Sequence, residues 1–333
     1  MAADRPLFDP IMELSRTSAM LKGRMNPVLE LDDLSKTFSG KKGRVEALCD
    51  VNLAISPHQV FGFLGPNGAG KSTTIRLMLD LIRPTSGRVL MHGVDVRSSR
   101  EAVQSIGALV EDAAFYRFLT AHDNLSLLAR TAGHDVNQVP GLLSQVGLGG
   151  NEHRAVKEFS TGMKQRLGMA AALLGDPEVL ILDEPTNGLD PAGMHEMRQF
   201  LRMLVDERGK TVILSSHILS EVELICDRVA IIHMGRIVRE TSVDELRRGR
   251  AHLRVEVEPV HTAASVLQPH WVVEVEAVKE SLGWLRISTD EGQAPFILRE
   301  LLEHDIDVYQ MHAQHQSLEE YFLEATTAEK LDD

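Results

Sequence analysis

The 333-residue sequence predicts an α/β core with a helical subdomain, followed by a small ferredoxin-like α+β domain. Two observations lead to this prediction. Between residues 28 and 246, apolar runs of strand length alternate with helix-type segments, which is typical of a mostly parallel sheet covered by helices. Beyond residue 250 the apolar residues recur at period two, and strands and helices follow in the order βαββαβ.

Charge is distributed unevenly along the chain. Residues 251–333 contain 17 Asp and Glu against 5 Lys and Arg, so 12 of the 13 net negative charges lie there. This shift predicts a domain boundary near residue 250, and such an acidic balance argues against a nucleic-acid partner. The predicted organisation is a flexible N-terminal extension (1–26), a core domain (27–249) with its helical subdomain (113–166), and an acidic C-terminal domain (250–333).

The two cysteines, Cys49 and Cys226, lie far apart and lack the spacing of metal ligands. We expect them to be structural thiols of a reduced, intracellular protein. No stretch approaches the ~18–20 apolar residues that a membrane helix needs. Residues 1–26 include acidic side chains and lack the apolar core of a signal peptide, and Met25 is an alternative start.

The core elements are predicted from short apolar runs bounded by turn residues and from helix start signals. The predicted core strands are Val28–Leu34, Val45–Ile55, Val60–Leu64, Arg88–Met91, Val94–Val96, Ser105–Val110, Val179–Leu182, Thr211–Leu214 and Arg228–His233. The predicted core helices are Ser72–Ile82, a helix that begins at the capping box Thr120-x-x-Asp123, Gly193–Arg208 and Ser220–Cys226.

The C-terminal domain is predicted from the same signals. Its predicted strands are Leu253–Glu258, Trp271–Glu276, Trp284–Ser288 and Asp307–Met311, and its predicted helices are Thr262–Leu267, Ala294–His304 and a last helix Ser317–Ala325.

One stretch of the core has a phosphate-binding pattern. Gly65 to Ser72 reads G-x-x-x-x-G-K-S between a predicted strand and a predicted helix, the context that this pattern requires. Its glycines allow φ > 0, so consecutive N–H groups point into one concavity, and the helix N-terminus favours anions. Lys71 can reach the outer phosphates of a nucleoside triphosphate, and the Ser72 hydroxyl can hold Mg²⁺. The candidate phosphate-binding residues are Gly65, Pro66, Asn67, Gly68, Ala69, Gly70, Lys71, Ser72 and Thr73.

Two carboxylates follow the apolar strand Val179–Leu182. Asp183, at the carboxyl end of a buried parallel strand, can hold Mg²⁺. Glu184 is placed to act as a general base on the water that attacks the γ-phosphate. An isolated Asp-Glu pair would more simply be a solvated turn, but the phosphate loop upstream favours the catalytic interpretation.

A second helix start suited to anions lies at Phe159–Arg166. Ser160 and Gly162 introduce a helix that continues through Leu174, and the N-terminus of such a helix favours phosphate. By itself the pattern is also explained by Ser160 acting as an N-cap.

Together these motifs, in this order and spacing, resemble the ATP-binding subunit of an ABC transporter over roughly Val28 to Leu246. The resemblance implies that Gly65–Ser72 is the Walker A loop and that Leu180–Glu184 is the Walker B strand. It also implies that Ser160–Lys164 is the signature motif, that Gly188–Asp190 is the D-loop, and that ATP and Mg²⁺ are the cofactors.

The resemblance assigns roles to several single residues. Ser160, Gly162 and Asp190 become nucleotide-contacting residues, His217 becomes the switch histidine and Phe38 the residue that stacks on adenine. Without the resemblance, a Phe before a turn is as often part of the core, and a surface role for His217 would be the simpler interpretation.

Two positions depart from the usual family pattern. Glu111 stands where a glutamine is usual; a carboxylate can still bind Mg²⁺ and orient water, although it adds negative charge beside the triphosphate. The predicted catalytic residues are Glu184, His217 and Glu111, and the predicted metal ligands are Ser72, Glu111 and Asp183. The signature motif lacks the common Gly-Gly-Gln. These variations, and the tail Ser317–Leu323, resemble the type-2 drug-exporter subfamily, including bacitracin- and lantibiotic-type self-protection exporters.

The resemblance also implies partners. Subunits of this kind form head-to-tail homodimers that hold ATP between the Walker A loop of one chain and Ser160–Gly162 of the other. They power a separate polytopic membrane permease from the cytoplasmic face of the membrane, so a peripheral location and drug or peptide-antibiotic export are expected. Phe115, Tyr116 and Phe118 form an aromatic cluster that is either core or a docking groove for a cytoplasmic helix of the permease.

Two alternatives belong to other functional classes. The first is a soluble ABC ATPase that acts on ribosomes or DNA, although the chain has one ATPase unit and lacks a long coiled-coil insertion or a zinc-binding cysteine cluster. The second is a generic phosphate-loop kinase, which the signature motif and His217 argue against.

Overall fold

The computed structural model describes residues 26–40, 43–110, 114–248, 252–289 and 291–314. Three expectations therefore lie outside the described residues: the N-terminal extension up to residue 25, the placement of Glu111, and the last helix Ser317–Ala325.

Strands and helices are numbered here in chain order. The strands are β1 (Leu29–Gly40), β2 (Gly43–Ile55), β3 (Val60–Leu64), β4 (Ser86–Met91), β5 (Val94–Asp95), β6 (Ile106–Leu109), β7 (Val179–Asp183), β8 (Thr211–Ser216), β9 (Arg228–His233), β10 (Arg236–Ser242), β11 (His252–Glu258), β12 (Val272–Lys279), β13 (Leu282–Ser288) and β14 (Asp307–Gln314). The α-helices are α1 (Lys71–Met78), α2 (Arg100–Gln104), α3 (Ala121–Ala132), α4 (Val139–Gln145), α5 (Thr161–Ala172), α6 (Pro191–Asp206), α7 (Leu219–Ile225), α8 (Val243–Arg248), α9 (Val260–Leu267) and α10 (Ala294–Glu303). Short 3₁₀ helices lie at Val136–Gln138, Val156–Glu158 and Glu291–Gln293.

A six-stranded sheet forms the centre of the core, in the order β10-β9-β3-β8-β7-β6. Strands β9, β3, β8, β7 and β6 run parallel, and β10 pairs antiparallel with β9. Every residue of β3 and β8 is buried, as expected for parallel strands that are covered on both faces. The carboxyl ends of β3, β8 and β7 consequently lie side by side at one edge of the sheet.

Alternate residues of β3 pack into different apolar layers. Val60 and Leu64 belong to a cluster with helices α3 to α7, whereas Phe61 and Phe63 belong to a cluster with α1 and a second sheet. This second sheet is antiparallel and has the order β2-β1-β4-β5. The central sheet is thus held between a helical layer and a layer made of the second sheet and α1.

Helices α3, α4 and the start of α5 occupy the predicted helical subdomain. Helix α3 begins at the predicted capping box, where the Thr120 hydroxyl accepts a hydrogen bond of 3.0 Å from the backbone N–H of Asp123. Each of the three helices contributes a fully buried leucine to the core: Leu125, Leu143 and Leu167.

The acidic C-terminal part has the predicted ferredoxin-like arrangement. Its elements follow the order β11-α9-β12-β13-α10-β14, and the strands form an antiparallel sheet of order β12-β13-β11-β14. Its apolar cluster consists of residues between Leu253 and Met311. The described core of this part is built from its own residues.

Several elements differ from the sequence predictions, and two short helices, α2 and α8, were not predicted. Strand β1 runs on to Gly40, past the expected end at Leu34, because it stays paired with β2 up to the turn. Helix α1 ends at Met78 rather than Ile82, since Asp80 adopts a left-handed φ of 51°. Strand β10 was not predicted, because its sequence RIVRETS is polar and has one fully buried residue. It is held in place by antiparallel pairing with β9.

Both cysteines are free thiols in protein environments that disfavour the thiolate. Burial is the main cause that raises the pKa of Cys226 and, more weakly, the pKa of Cys49. A protonated thiol is a poor nucleophile, which agrees with the expected structural role. Within the described ranges, no helix is both long enough and apolar enough to cross a bilayer.

Candidate functional site

The predicted phosphate loop connects β3 to α1. Gly68 and Gly70 adopt φ values of 83° and 116°, which side chains with a Cβ rarely tolerate. A Cβ at Gly65 would collide with the backbone oxygen of Ile232 on β9. The glycines are therefore required both by the turn itself and by the close approach of the loop to the sheet.

Lys71 begins α1, and its side chain folds back over the loop. Only 6% of the residue is exposed, and its Nζ donates hydrogen bonds to the carbonyl oxygens of Gly65 at 2.6 Å and Pro66 at 3.3 Å. Burial lowers the pKa of Lys71, while the carboxylates of Glu184 and Asp183 act in the opposite direction. The two carboxylates thus help to keep a buried ammonium group charged beside the loop.

Asp183 ends β7, and Glu184 follows it with a left-handed φ of 51°. Ser215 lies opposite Asp183 on the neighbouring strand β8 and is fully buried. Its hydroxyl donates to Asp183 Oδ1 and accepts a hydrogen bond of 3.1 Å from the backbone N–H of Glu184. Ser215 therefore orients the Asp183 carboxylate and holds the left-handed backbone of Glu184 in place.

Ser215 was missed by the sequence reasoning, which ended this strand at Leu214. A signal was present, since two hydroxyl residues, Ser215 and Ser216, precede His217 at the end of a buried apolar run. The observed strand includes both serines. Ser215 pairs with Asp183 and Ser216 pairs with Leu64, and these pairings follow only from the order of the strands in the sheet.

His217 follows β8 and meets Glu184 directly. Its Nδ1 lies 2.8 Å from Glu184 Oε2, and its side chain is about half exposed, whereas Glu184 is largely covered. A carboxylate held by an imidazole in this way has a defined direction, which a general base needs.

A cleft of about 360 Å³ brings these groups together. It is lined by the phosphate loop and by polar residues from the ends of β7 and β8: Ala47, Pro66, Asn67, Gly68, Gly70, Lys71, Ser72, Thr73, Asp183, Glu184, Asn187 and His217. Asn187 was not predicted as a site residue. Phe38 is not part of this lining; it lies near the end of β1 opposite Val45, 42% exposed, with Lys36 Nζ 4.9 Å from its ring centroid. Its exposure argues against the core interpretation.

The predicted signature residues lie in a different cleft, of about 770 Å³. Ser160 caps α5, with its hydroxyl 3.3 Å from the N–H of Met163, and Asp190 caps α6, with Oδ1 2.9 Å from the N–H of Gly193. Both residues line this cleft with Gly162. The two clefts have no lining residue in common, so Ser160 and the phosphate loop of one chain line separate clefts.

The predicted Mg²⁺ ligands Ser72 and Asp183 both line the phosphate-loop cleft. In the part of the chain that the structure describes, no three His, Cys, Asp or Glu side chains cluster as a metal site. A hydroxyl and one carboxylate suit Mg²⁺ when phosphate and water oxygens complete its shell. The residues present fit that ion together with a nucleotide, and Glu111 stays a predicted ligand outside the described residues.

This fold and this cleft define a phosphate-loop nucleotide-binding protein. A family model described as ABC transporter matches residues 48–187. The bacitracin transport ATP-binding protein BcrA of Bacillus licheniformis is 39% identical over 302 residues, which cover 90% of this chain and 97% of that protein. The chain belongs to the ABC transporter family.

Two further comparisons agree with this membership. The lantibiotic transport ATP-binding protein SrtF of Streptococcus pyogenes is 41% identical over 217 residues, 65% of this chain and 92% of its own length. A dimeric ATP-binding cassette solved in a post-hydrolysis state with ADP and Pi superposes with a TM-score of 0.59 and 25% identity, over 65% of this chain and 98% of that one. The match to BcrA spans 302 residues and must therefore reach beyond residue 250, into the ferredoxin-like part.

Proposed function

We propose that this chain is the ATP-binding and ATP-hydrolysing subunit of an exporter, driving a separate membrane permease that moves peptide antibiotics of the bacitracin or lantibiotic type. The observation behind this proposal is the phosphate-loop cleft, in which Lys71, Asp183, Glu184 and His217 converge. The relatives described as bacitracin and lantibiotic transport proteins support the transport role and the substrate class.

Each group in the cleft has a defined task. The backbone N–H groups of the loop, the N-terminus of α1 and the Lys71 ammonium bind the phosphates of ATP. Ser72 and Asp183 would hold Mg²⁺, which neutralises phosphate charge when bound. Glu184 accepts the proton of the attacking water, and His217 fixes the direction of that carboxylate. Phe38, exposed near the end of β1, is available to stack on the adenine.

A homodimer explains the second cleft. In a head-to-tail pair, Ser160 and Gly162 at the N-terminus of α5 would face the nucleotide bound by the phosphate loop of the other chain. In a two-fold symmetric dimer, the phosphate loop of each chain faces the α5 N-terminus of the other, so the same two surfaces form both nucleotide sites. The dimeric state of the ATP-binding cassette with ADP and Pi supports this assembly.

The aromatic cluster offers a surface for the permease. Phe115 packs against the core, whereas Tyr116 and Phe118 are 54% and 75% exposed, with ring centroids 6.0 Å apart. The buried Asn124 accepts a hydrogen bond of 2.8 Å from the backbone N–H of Tyr116, which fixes the turn that presents both rings. Exposed aromatic side chains on a fixed turn are typical anchors of an interface. Docking there would place the chain peripherally on the cytoplasmic face of the membrane.

Glu184→Gln tests the general base. The amide keeps the shape of the side chain but accepts no proton, so ATP hydrolysis is expected to fall ~10²–10⁴-fold while ATP still binds. A nucleotide-bound dimer should then persist on a sizing column. Glu178→Gln is the matched control, because Glu178 precedes the same strand at its opposite end and pairs with His92. Near-normal turnover of the Glu184 variant would show that another group is the base.

Ser215→Ala tests the serine between the two carboxylates. Loss of the hydroxyl frees the Asp183 carboxylate and the Glu184 backbone, so turnover is expected to fall about tenfold with little change in ATP affinity. Ser215→Thr keeps the hydroxyl and should retain more activity. Steady-state ATPase assays and nucleotide titrations measure both quantities, and full activity of the Ala variant would contradict the orienting role.

Tyr116→Ala tests the docking surface. The side chain is exposed, so basal ATPase activity and thermal stability should be kept, while copurification of the permease from detergent-solubilised membranes should be lost. Leu81→Ala removes an equally exposed apolar side chain elsewhere and should leave copurification intact. An unfolded Tyr116 variant would favour the core interpretation, and a wild-type chain that copurifies with ribosomes would support the soluble alternative.

A further inference from the structure

A partly buried ion pair joins α6 to α7. The side chains of Arg198 on α6 and Glu221 on α7 are 21% and 14% exposed, and Arg198 Nε lies 3.7 Å from Glu221 Oε2. Both of these atoms are buried and have no hydrogen-bond partner. The distance is too long for a hydrogen bond, yet two opposite charges at this separation attract strongly away from solvent.

Glu221 lies directly behind the catalytic turns. It lines a small cavity of about 10 Å³ together with Pro185, Thr186 and Ser216. Pro185 and Thr186 follow Glu184 in the chain, and Ser216 precedes His217. The surface that lines this cavity is almost entirely apolar. Glu221 therefore lies beside the segments that present Glu184 and His217.

A second arginine fixes the other end of α7. Arg202, one turn after Arg198, donates from Nη1 to both carboxylate oxygens of Asp227 at 2.9 Å, and Asp227 accepts a hydrogen bond of 2.7 Å from the N–H of Val60 on β3. Helix α7 is thus held by α6 near its start through Glu221 and just beyond its end through Asp227. The Asp227 contact anchors the helix to the sheet, whereas the Glu221 contact lies beside the catalytic turns.

Helix α7 depends on such contacts for its position. It has seven residues, and an isolated helix of this length is not stable in water. Its first residue, Leu219, follows His217 after a single intervening residue, and the hydroxyl of Ser216 accepts a hydrogen bond of 3.0 Å from the N–H of Ile218. A displacement of the start of α7 consequently moves His217 relative to Glu184.

We propose that Arg198 and Glu221 form a positioning pair for the switch histidine. The pair sets the start of α7 against α6, and so holds His217 at hydrogen-bond distance from Glu184. Because α6 begins at Asp190 in the second cleft, the same pair links that cleft to the catalytic turns of its own chain. The proposal rests on the proposed ATPase function. Stability alone does not account for the pair, since apolar residues of similar volume often replace a buried ion pair without loss of stability.

The test uses the full chain with Arg198→Met, Glu221→Gln and the double variant Arg198→Met/Glu221→Leu. The single variants leave one charge of the pair without a partner. The double variant removes both charges, so an effect of lost positioning can be told apart from an effect on folding. We expect kcat for ATP hydrolysis to fall ten- to a hundredfold in all three, roughly the effect of a misplaced catalytic group, with KM for ATP within about twofold of wild type. The urea midpoint of the double variant should match that of the wild type.

A mutant cycle with His217→Ala identifies the route of the effect. If the pair acts through His217, the double variant should lower kcat no further in the His217→Ala background, because residues acting as one unit are not additive. Asp206→Asn is the control on the same helix; it weakens an exposed ion pair with Arg202 and should leave kcat and KM unchanged.

Three outcomes would overturn the inference. Wild-type kcat in a stably folded double variant would show that the pair does not position catalytic groups. An equal further loss of kcat in the His217→Ala background would show that the pair does not act through His217. A rise of KM for ATP in parallel with the loss of kcat would indicate a defect of nucleotide binding. Absence of ATP hydrolysis by the wild-type chain would instead refute the proposed function itself, and the inference with it.

Discussion

The parallel pairing of β3, β8 and β7 is the constraint on which the site depends. Their register places Leu64 opposite Ser216 and Asp183 opposite Ser215, so the turns that follow the three strands meet at one edge of the sheet. The two faces of β3 pack against different apolar layers, so a slip by one residue would exchange the side chains that meet each layer. The phosphate loop, Glu184 and His217 are close because their strands are neighbours.

The structure brings the predicted phosphate loop, Asp183, Glu184 and His217 to one cleft. The loop and the two carboxylates were predicted from short patterns with their own chemical reason, whereas His217 was predicted from the family resemblance. Contacts that depend on the sheet order could not be found in this way. Ser215 and Glu221 are ordinary residues in the sequence, and they acquire a role only when β8 pairs with β7 and α7 packs against α6.

The fold was predicted to a similar extent and for similar reasons. Buried strands such as β3 and β9 agree with their predicted limits, and the ferredoxin-like order follows from period-two patterning. The predictions were wrong where the surrounding structure determines an element. Strand β10 is polar and depends on its pairing with β9, and α1 ends before its predicted limit, near the left-handed Asp80. Phe38 is exposed near the end of β1, so its predicted stacking on adenine stays a prediction.

We propose that each ATP is held by two chains, because Lys71 and Ser160 line clefts that have no residue in common. Mixing two inactive variants, Lys71→Ala and Ser160→Arg, tests this most directly. Half of the dimers in an equal mixture combine one intact phosphate loop with one intact signature, so ATP hydrolysis should recover to about a quarter of the wild-type rate. No recovery on mixing, with heterodimers demonstrated by differential tags, would mean that each chain completes its own site.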